Sequence, residues 1–308
     1  MKVSVGLPTH RIDKPWEFVT AAAIGDMSVT AEAAGFDAVF VTEHPFPADD
    51  WLAHGGHHAL DPLVALSFAA AATRTLRLHT NLFVLAYRNP FVGAKGIATL
   101  DALSGGRVIL GVGSGYLESE FSALGVAFGE RNDLTDEAIV MMRQAWRGES
   151  MVATGRHFDV AGHTMLPTPG QAAGPPIWIG GNSKRAIRRA VELGDGWSPM
   201  PSPARFARRL RTPGLETLDD LRARLEYASE HASTVGRRDP LEVVFMPLGL
   251  DMFHNASLDV DATIKSLADL AGAGVTYATV NLPGETRGEL LENLRAFGEH
   301  VLPAVAEL

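Results

Sequence analysis

The sequence predicts an α/β protein folded as a (β/α)8 TIM barrel with insertions in the loops at its C-terminal face. The first observation is that short β-branched segments alternate with helix-length amphipathic segments, the pattern of βα units around a parallel sheet. The second is that eight such strands are enough to close a barrel. Because one barrel accommodates 308 residues, we expect a single domain over 1–308.

The predicted strands and helices follow one another in strict alternation. The strands cover residues 3–7, 38–41, 76–84, 107–111, 177–180, 196–199, 242–248 and 275–280. The helices cover residues 16–34, 61–72, 90–103, 132–147, 183–193, 215–234, 257–271 and 285–299. Glycines that would cap helix C-termini support these boundaries, at Gly35, Gly148, Gly194 and Gly236.

Two connections are much longer than the roughly 2–6 residues usual in such folds. Residues 44–60 follow the second strand, and residues 148–176 precede the fifth. Residues 156–160 in the second connection predict a small hairpin or an extended flap. We expect both connections at the barrel mouth, the end where the strands have their C-termini and where active sites of such barrels are built.

Composition narrows the classes of partner. The formal charge is −9, and no basic stripe carries interleaved aromatic residues, which argues against nucleic acid. The absence of cysteine excludes disulfides, thiolate metal sites and cysteine nucleophiles. The longest nearly apolar run, 63–72, is shorter than the roughly 18 residues of a membrane span, and no signal-peptide pattern precedes the first strand. We expect a cytoplasmic protein that acts on a small molecule.

Two glycine-dense segments each follow a predicted strand and open a helix. The first, 111–116, places Tyr116 where a dinucleotide fingerprint has its third glycine, so it does not predict a Rossmann fold. It predicts close backbone approach either to a ligand held with Ser114 or to a packed neighbour. The second segment, 180–183, combines glycines with the N-cap pair Asn182 and Ser183. It predicts either a phosphate site at a helix start or a plain capped turn.

Histidines and arginines at strand ends are further candidates. His44 follows the second strand and His10 the first, and each is either a proton donor or ring-carbonyl anchor or a structural residue. The histidines of loop 54–58 sit among glycines, a poor cage for a metal ion, and we expect none. A basic cluster after the sixth strand is either a solvated face or a grip for a polyanionic cofactor tail; it comprises Arg205, Arg208, Arg209 and Arg211.

Five segments resemble the bacterial luciferase-like superfamily of flavin- and deazaflavin-dependent oxidoreductases. They are residues 32–44, 87–90, 98–115, 176–183 and 195–197. The resemblance implies a (β/α)8 barrel, usually a homodimer, that binds the deazaflavin coenzyme F420 or reduced FMN at the mouth. It also implies a phosphate site near the fourth and fifth strand ends and, in many deazaflavin members, a non-proline cis peptide at the end of the third strand. These features map to Asn81, Leu82, Ser114, Gly115, Tyr116, Gly180, Gly181, Asn182 and Ser183.

The deazaflavin branch is the more similar one, through Trp51, the His-Gly-Gly-His-His loop 54–58 and the segment 87–90. The resemblance implies hydride transfer between F420 and a small organic substrate, with His44 as the catalytic proton donor or ring-orienting group and a flavin or F420 reductase as redox partner. Members that oxidise sugar phosphates carry a glutamate where this chain has Tyr116, so sugar-phosphate oxidation is not implied. The alternatives are an FMN-dependent two-component monooxygenase, a non-catalytic flavin-binding protein and, third, a metal-dependent barrel hydrolase.

Overall fold

Eight parallel strands form a closed barrel. The structure is a computed structural model that describes residues 1–203, 207, 211–248, 250 and 257–307. The barrel order is β1–β2–β3–β4–β7–β8–β9–β10, and β5 and β6 pair with each other as a separate antiparallel hairpin. The strands are β1 Lys2–Gly6, β2 Ala38–Val41, β3 Arg77–Val84, β4 Val108–Gly113, β5 Met151–Gly155, β6 Phe158–His163, β7 Ile177–Gly180, β8 Gly196–Ser198, β9 Glu242–Phe245 and β10 Tyr277–Val280.

The described helices surround this barrel. The longer ones are Ala21–Ala34, Pro62–Ala72, Pro90–Ser104, Arg131–Ala145, Lys184–Leu193, Leu218–Val235, Val260–Gly272 and Arg287–His300. Shorter ones are Pro15–Phe18, Asp49–Ala53, Glu118–Ala123 and Leu302–Val305, with 3-10 turns at Leu85–Tyr87 and Phe128–Glu130. Several of these helices have a side-chain N-cap. Asp61 accepts from two backbone N–H groups, and Thr217 with Asp220 forms a capping box. No described helix is long and apolar enough to cross a membrane.

Alternation along the strands divides the buried side chains into two sets. Outward-facing residues such as Val3, Val5 and Leu110 belong to the large core between barrel and helices. A second, separate cluster fills the interior of the barrel and comprises Ala38, Ile109, Trp178, Val244 and Tyr277. The interior is therefore packed with side chains rather than open, and ligands can enter only at its ends.

The predicted barrel and its eight strands are confirmed, and so is the hairpin. Eight of the sixteen strand boundaries differ by one to three residues. At 246–248, for example, apolar residues continue the pattern past the end of β9. The predicted continuous helix over 16–34 is wrong: the chain breaks before Thr20, whose side chain accepts from the Ala23 N–H and starts a new helix. Of the four predicted C-cap glycines, Gly35 and Gly236 end their helices with positive φ, and Gly194 ends its helix in an extended conformation. Gly148 lies two residues beyond the C-cap of its helix, which is Trp146.

The two long connections reach the mouth by different routes. Residues 44–60 leave the C-terminal end of β2 directly and contain the short helix Asp49–Ala53. Residues 148–176 leave the other end of the barrel, and their hairpin runs back along the helix Arg131–Ala145. At its tip Arg156 contacts Asp133 at 2.9 Å and His157 contacts Glu130 at 3.1 Å. Because the helix Arg131–Ala145 starts after β4, the hairpin tip lies on the mouth side.

Candidate active site

The candidate residues from the sequence lie at one end of the barrel. His44 follows β2, and Asn81 and Leu82 lie near the C-terminal end of β3. Residues 114–116 follow β4, and residues 180–183 join β7 to its helix. Parallel strands place all these ends on the same side, so the residues share the mouth.

His44 lies in a group of aromatic side chains, with only 9% of its own side chain exposed. Its ring centroid is 4.4 Å from that of Trp51, 4.9 Å from that of His57 and 6.0 Å from that of Tyr116. Trp51 and His57 both come from the connection after β2, so this connection folds back over the strand end that carries His44. The imidazole is held on several sides and keeps a narrow opening to the mouth.

Glu120 is a functional candidate that the sequence analysis missed. Its side chain is fully buried. It accepts hydrogen bonds from the Tyr87 hydroxyl at 2.7 Å and from the Phe46 N–H at 2.9 Å, and the Nδ1 atom of His44 lies 3.5 Å from its Oε2. Burial raises the pKa of this carboxyl, but the hydrogen bonds from His44, Tyr87 and Phe46 outweigh burial, so the pKa lies below its ordinary value. The carboxylate is therefore ionised beside His44.

Glu43 supports the end of β3 from the neighbouring strand end. Its Oε2 accepts from the Val84 N–H at 2.6 Å, and Arg88 donates to both of its oxygens. Burial raises the pKa of Glu43 in spite of the nearby Arg88. The Arg88 guanidinium also lies 3.8 Å from the ring centroid of Phe83. Glu43 therefore acts on the backbone that carries Asn81 and Leu82, although it stands next to His44 in the chain.

Two further histidines face the His44 group. The ring of His57 lies between those of His44 and His10, 5.9 Å from the latter, and its Nε2 is 3.5 Å from the Thr42 hydroxyl. Burial, with His44, His10 and His58 nearby, lowers the pKa of His57 to about 4. Burial and then Arg11 also lower the pKa of His10. Both rings are thus neutral at pH 7, and no group of three or more possible metal ligands occurs in the described part of the chain.

Leu82 forms part of the floor of the mouth. The peptide between Asn81 and Leu82 is cis, as the resemblance implies. A Cβ atom on Gly180 would lie 2.1 Å from Leu82 Cδ1, and one on Gly113 would lie 3.3 Å from the same atom. The glycines at the ends of β4 and β7 therefore make room for Leu82. The glycines of 111–113 therefore fit the packing alternative, in which they leave space for the half-buried Leu82 side chain.

The helix that starts at Lys184 directs its first N–H groups to the same mouth. Ser183 accepts from the Ala186 N–H at 3.1 Å, and the first intrahelical bond runs from the Ile187 N–H to the Ser183 carbonyl. The N–H groups of Lys184 and Arg185 precede that bond, so helix geometry leaves them to an external acceptor. Gly181, with φ of 108°, forms the turn into the helix. These groups could hold a phosphate.

The side chain of Asn182 stabilises this turn through hydrogen bonds to the backbone. Its Nδ2 donates to the carbonyls of Met200 at 2.9 Å and Pro213 at 3.0 Å, and its Oδ1 accepts from the Met200 N–H at 3.0 Å. It thus ties the helix start to the connection after β8. Gly115 on the other side has φ of 76°, and a Cβ there would lie 2.6 Å from Phe121. Ser114 and Tyr116 beside it are half-buried.

The basic cluster lies mostly outside the described residues. Arg205, Arg208 and Arg209 are not among them. Arg211 contacts Glu118 at 2.6 Å, and its guanidinium lies 4.6 Å from the Phe128 ring centroid. The one described member of the cluster is therefore paired with a carboxylate and an aromatic ring.

Comparisons with known proteins agree with this architecture. The model of the luciferase-like monooxygenase family matches residues 1–246. An F420-dependent glucose-6-phosphate dehydrogenase of Microbacterium testaceum is 27% identical over 318 residues, covering 90% of this chain and 91% of the relative. An F420-dependent hydroxymycolic acid dehydrogenase of Mycobacterium tuberculosis is 31% identical over 218 residues, covering 70% of this chain and 56% of the relative.

A solved structure with the same fold is that of the monooxygenase RslO1 from Streptomyces bottropensis. It superposes with a TM-score of 0.77 at 22% sequence identity, covering 98% of this chain and 99% of RslO1. At that identity the likeness shows the fold, and the barrel with its mouth is the feature that the two proteins share.

Proposed function

The chain belongs to the luciferase-like monooxygenase family, and on that premise we propose that it is an oxidoreductase that uses coenzyme F420 for hydride transfer to or from a small organic substrate. Two relatives named as F420-dependent dehydrogenases support the coenzyme. The observation that carries the proposal is structural. A helix start suited to a phosphate and a shielded histidine lie three strands apart around one mouth.

The residues at the mouth fit a phosphate-bearing deazaflavin. The N–H groups at the start of the helix Lys184–Leu193 would hold the phosphate, together with the backbone of Gly181 and the hydroxyl of Ser114 at the end of the neighbouring strand β4. The apolar surface of Leu82, on the cis peptide with Asn81, would support the ring. Gly115, Gly180 and Tyr116 complete the wall between these two parts, while Asn182 and Ser183 keep the helix start in place.

When bound, the coenzyme supplies hydride transfer at carbon 5 of its ring. The chain positions the reactants, excludes water and moves the accompanying proton. His44 is the group placed for that proton, since its imidazole lies at the mouth and is shielded by Trp51 and His57. The alcohol or carbonyl oxygen of a substrate would sit against it.

The coenzyme is carried over from the relatives, and their substrates are not. The two dehydrogenases share F420 in their names, while one acts on glucose 6-phosphate and the other on hydroxymycolic acid. Tyr116 stands in this chain directly after the Ser114–Gly115 pair. We therefore infer an organic alcohol or carbonyl compound as the substrate class, without a sugar-phosphate assignment.

A homodimer, working in the cytoplasm with an F420 or flavin reductase, completes the proposal. Three helices that pack side by side carry exposed apolar residues, namely Ala21–Ala34, Pro62–Ala72 and Pro90–Ser104. On the middle helix Val64 is 59% exposed and Phe68, one turn later, is 47% exposed. Such a face is typical of a surface covered by a partner.

The test is equilibrium binding of the purified protein to F420 and to FMN, side by side, by ligand fluorescence. We expect F420 to bind at least about 10-fold more tightly, a difference of about 1.4 kcal/mol. A screen of alcohols and ketones would then follow the oxidation state of the coenzyme by absorbance. Tighter binding of FMN would contradict the proposal and favour an FMN-dependent two-component monooxygenase.

A further inference from the structure

The environment of Glu120 is unusual because it is a buried carboxylate with no arginine or lysine among its hydrogen-bond partners in the described structure. An ionised carboxylate only accepts hydrogen bonds, and burying one costs free energy unless donors surround it. Its donors are a backbone N–H, a phenol and an imidazole. Two of them, Phe46 N–H and the Tyr87 hydroxyl, fix the carboxylate, and the third is His44.

We propose that Glu120 is the positioning residue for proton transfer at His44. Its carboxylate would accept a hydrogen bond from the Nδ1–H group and so leave Nε2 as the ring nitrogen that meets the substrate. The identity of the reaction in this inference rests on the proposed function. Which ring nitrogen of His44 carries the proton is inferred from the geometry alone.

The carboxylate is held in place independently of His44. Phe46 N–H occupies Oε1 at 2.9 Å, while the Tyr87 hydroxyl binds Oε2 at 2.7 Å. Oε2 therefore faces Nδ1 of His44, 3.5 Å away, in a fixed orientation. Contacts of this kind are long in enzymes without substrate and shorten in the reactive complex. Trp51 and His57 limit the movement of the ring by which the contact could be lost.

The pair formed by Glu120 and His44 gives His44 a defined role in both directions of the reaction. An alcohol that becomes a carbonyl compound loses one hydride, which goes to the coenzyme, and one proton. Nε2 of His44 takes the proton, and the Glu120 carboxylate stabilises the imidazolium that results. In the reverse direction, the same imidazolium returns its proton to the carbonyl oxygen as the hydride arrives.

The state of the ring can be measured without coenzyme. The experiment is ¹⁵N NMR of the full-length apoprotein labelled at histidine, with the His44 signal assigned through the H44Q variant. At pH values where the ring is neutral, we expect a protonated Nδ1 and an unprotonated Nε2 in the wild type. In E120Q, whose amide can donate as well as accept, that tautomer preference should weaken or reverse. A wild-type ring protonated at Nε2 would overturn the proposal, and this result does not require any variant to fold.

Kinetics test the consequence for turnover. With an identified substrate, E120Q should lower kcat by on the order of 100-fold and change KM by less than about threefold. The matched control is E118Q, which neutralises an exposed glutamate of the same short helix that pairs with Arg211; we expect kcat to change by less than about twofold. Equal losses in E120Q and E118Q would contradict a specific role for the carboxylate of Glu120.

The two proposals fail separately. If F420 does not bind, the proposed function fails, while the NMR tautomer still decides the state of His44. If F420 binds and turns over but E120Q keeps wild-type kcat, the function stands and the role of Glu120 is refuted.

Discussion

The two ends of the helix Lys184–Leu193 meet opposite surroundings, and the contrast extends to the two faces of the barrel. At its C-terminal end the side chain of Arg237 donates to the carbonyls of Val191 at 2.9 Å and Gly194 at 2.8 Å. At its N-terminal end only the uncharged Ser183 side chain caps the helix, and the first N–H groups point to the mouth. The partial negative charge of the helix is thus neutralised by the protein, and the partial positive charge is left for a ligand.

The same division appears elsewhere around the barrel. On the N-terminal face, Arg107 donates to the carbonyls of Ser104, Leu76 and Ala70 and to the Thr73 hydroxyl, all at 2.7–2.8 Å. It thereby closes the C-terminal ends of two helices. The mouth holds the neutral side chains of His10 and His57, glycines and Leu82 in the corresponding places. One face of this barrel is thus built for stability and the other for binding, as the fold generally permits.

The strongest test of this division is to remove the charge of Arg107 from the N-terminal face, which we call the closed face. R107M should lower the free energy of unfolding by about 3 to 4 kcal/mol, because several buried carbonyl groups lose their donor at once. The affinity for F420, measured at a temperature where the variant is folded, should stay within about twofold of the wild type. Urea unfolding and ligand fluorescence provide the two measurements.

The matched control for R107M is R74M, which changes an exposed arginine a short distance away on the same face. We expect an effect of less than about 0.5 kcal/mol. If R107M instead weakened the coenzyme more than tenfold at unchanged stability, the two faces would not be independent.

The barrel could be predicted from the sequence because strand length, helix period and glycine caps are local signals. The segments 38–41 and 177–180 were predicted to the residue, since turn residues bound their β-branched runs on both sides. The break at Thr20 was missed although its signal is local: Val19 and Thr20 are β-branched, and the Thr20 side chain accepts from the Ala23 N–H and starts a new helix.

The candidate site could be predicted only where its residues lie at a strand end or just after one. His44, Ser114 and Gly180 do so. Glu120 does not: it lies in a short helix beside Glu118, and both are glutamates with similar neighbours in sequence. Glu118 is exposed and Glu120 is buried. That difference depends on the positions of Tyr87 and Phe46, which come from two other connections, so no local pattern could show it.

A smaller effect is expected at the N-terminal end of the helix Lys184–Leu193, which faces the mouth. S183A removes the cap on the Ala186 N–H, so the first turn frays and the N–H groups that would hold a phosphate become mobile. We expect a loss of about 1 kcal/mol in stability and a weakening of F420 binding by about 5- to 10-fold, or about 1 to 1.4 kcal/mol. Calorimetric titration and thermal unfolding measure the two quantities.

Thr286 offers the control, because it caps the helix Arg287–His300 in the same manner by accepting from the Glu289 N–H at 3.2 Å. T286A should cost a similar amount of stability and leave F420 affinity unchanged. Equal effects of S183A and T286A on affinity would show that the start of the helix Lys184–Leu193 is not the phosphate site.

The smallest expected effect concerns a carboxylate on the closed face. Oε1 of Glu32 accepts from the N–H groups of Arg74, Thr75 and Leu76 at 2.6–2.9 Å and from the Thr75 hydroxyl. Burial opposes ionisation, but these donors prevail and lower the pKa of Glu32 from 4.5 to about 2. A carboxyl with a depressed pKa in the folded state stabilises the protein above its unfolded pKa. That contribution is lost as the pH falls from about 4.5 towards 2.

The variant E32Q isolates this contribution, because an amide keeps an oxygen acceptor for the same loop but carries no charge at any pH. Above pH 5 we expect the wild type to be more stable than E32Q by about 0.5 to 1 kcal/mol, a figure reduced for the partial exposure of the site. The difference should shrink steadily below pH 4.5. Urea unfolding of both proteins between pH 3 and 7 measures it. A difference independent of pH would mean that shape alone, and not the charge of Glu32, holds the loop before β3 to the closed face.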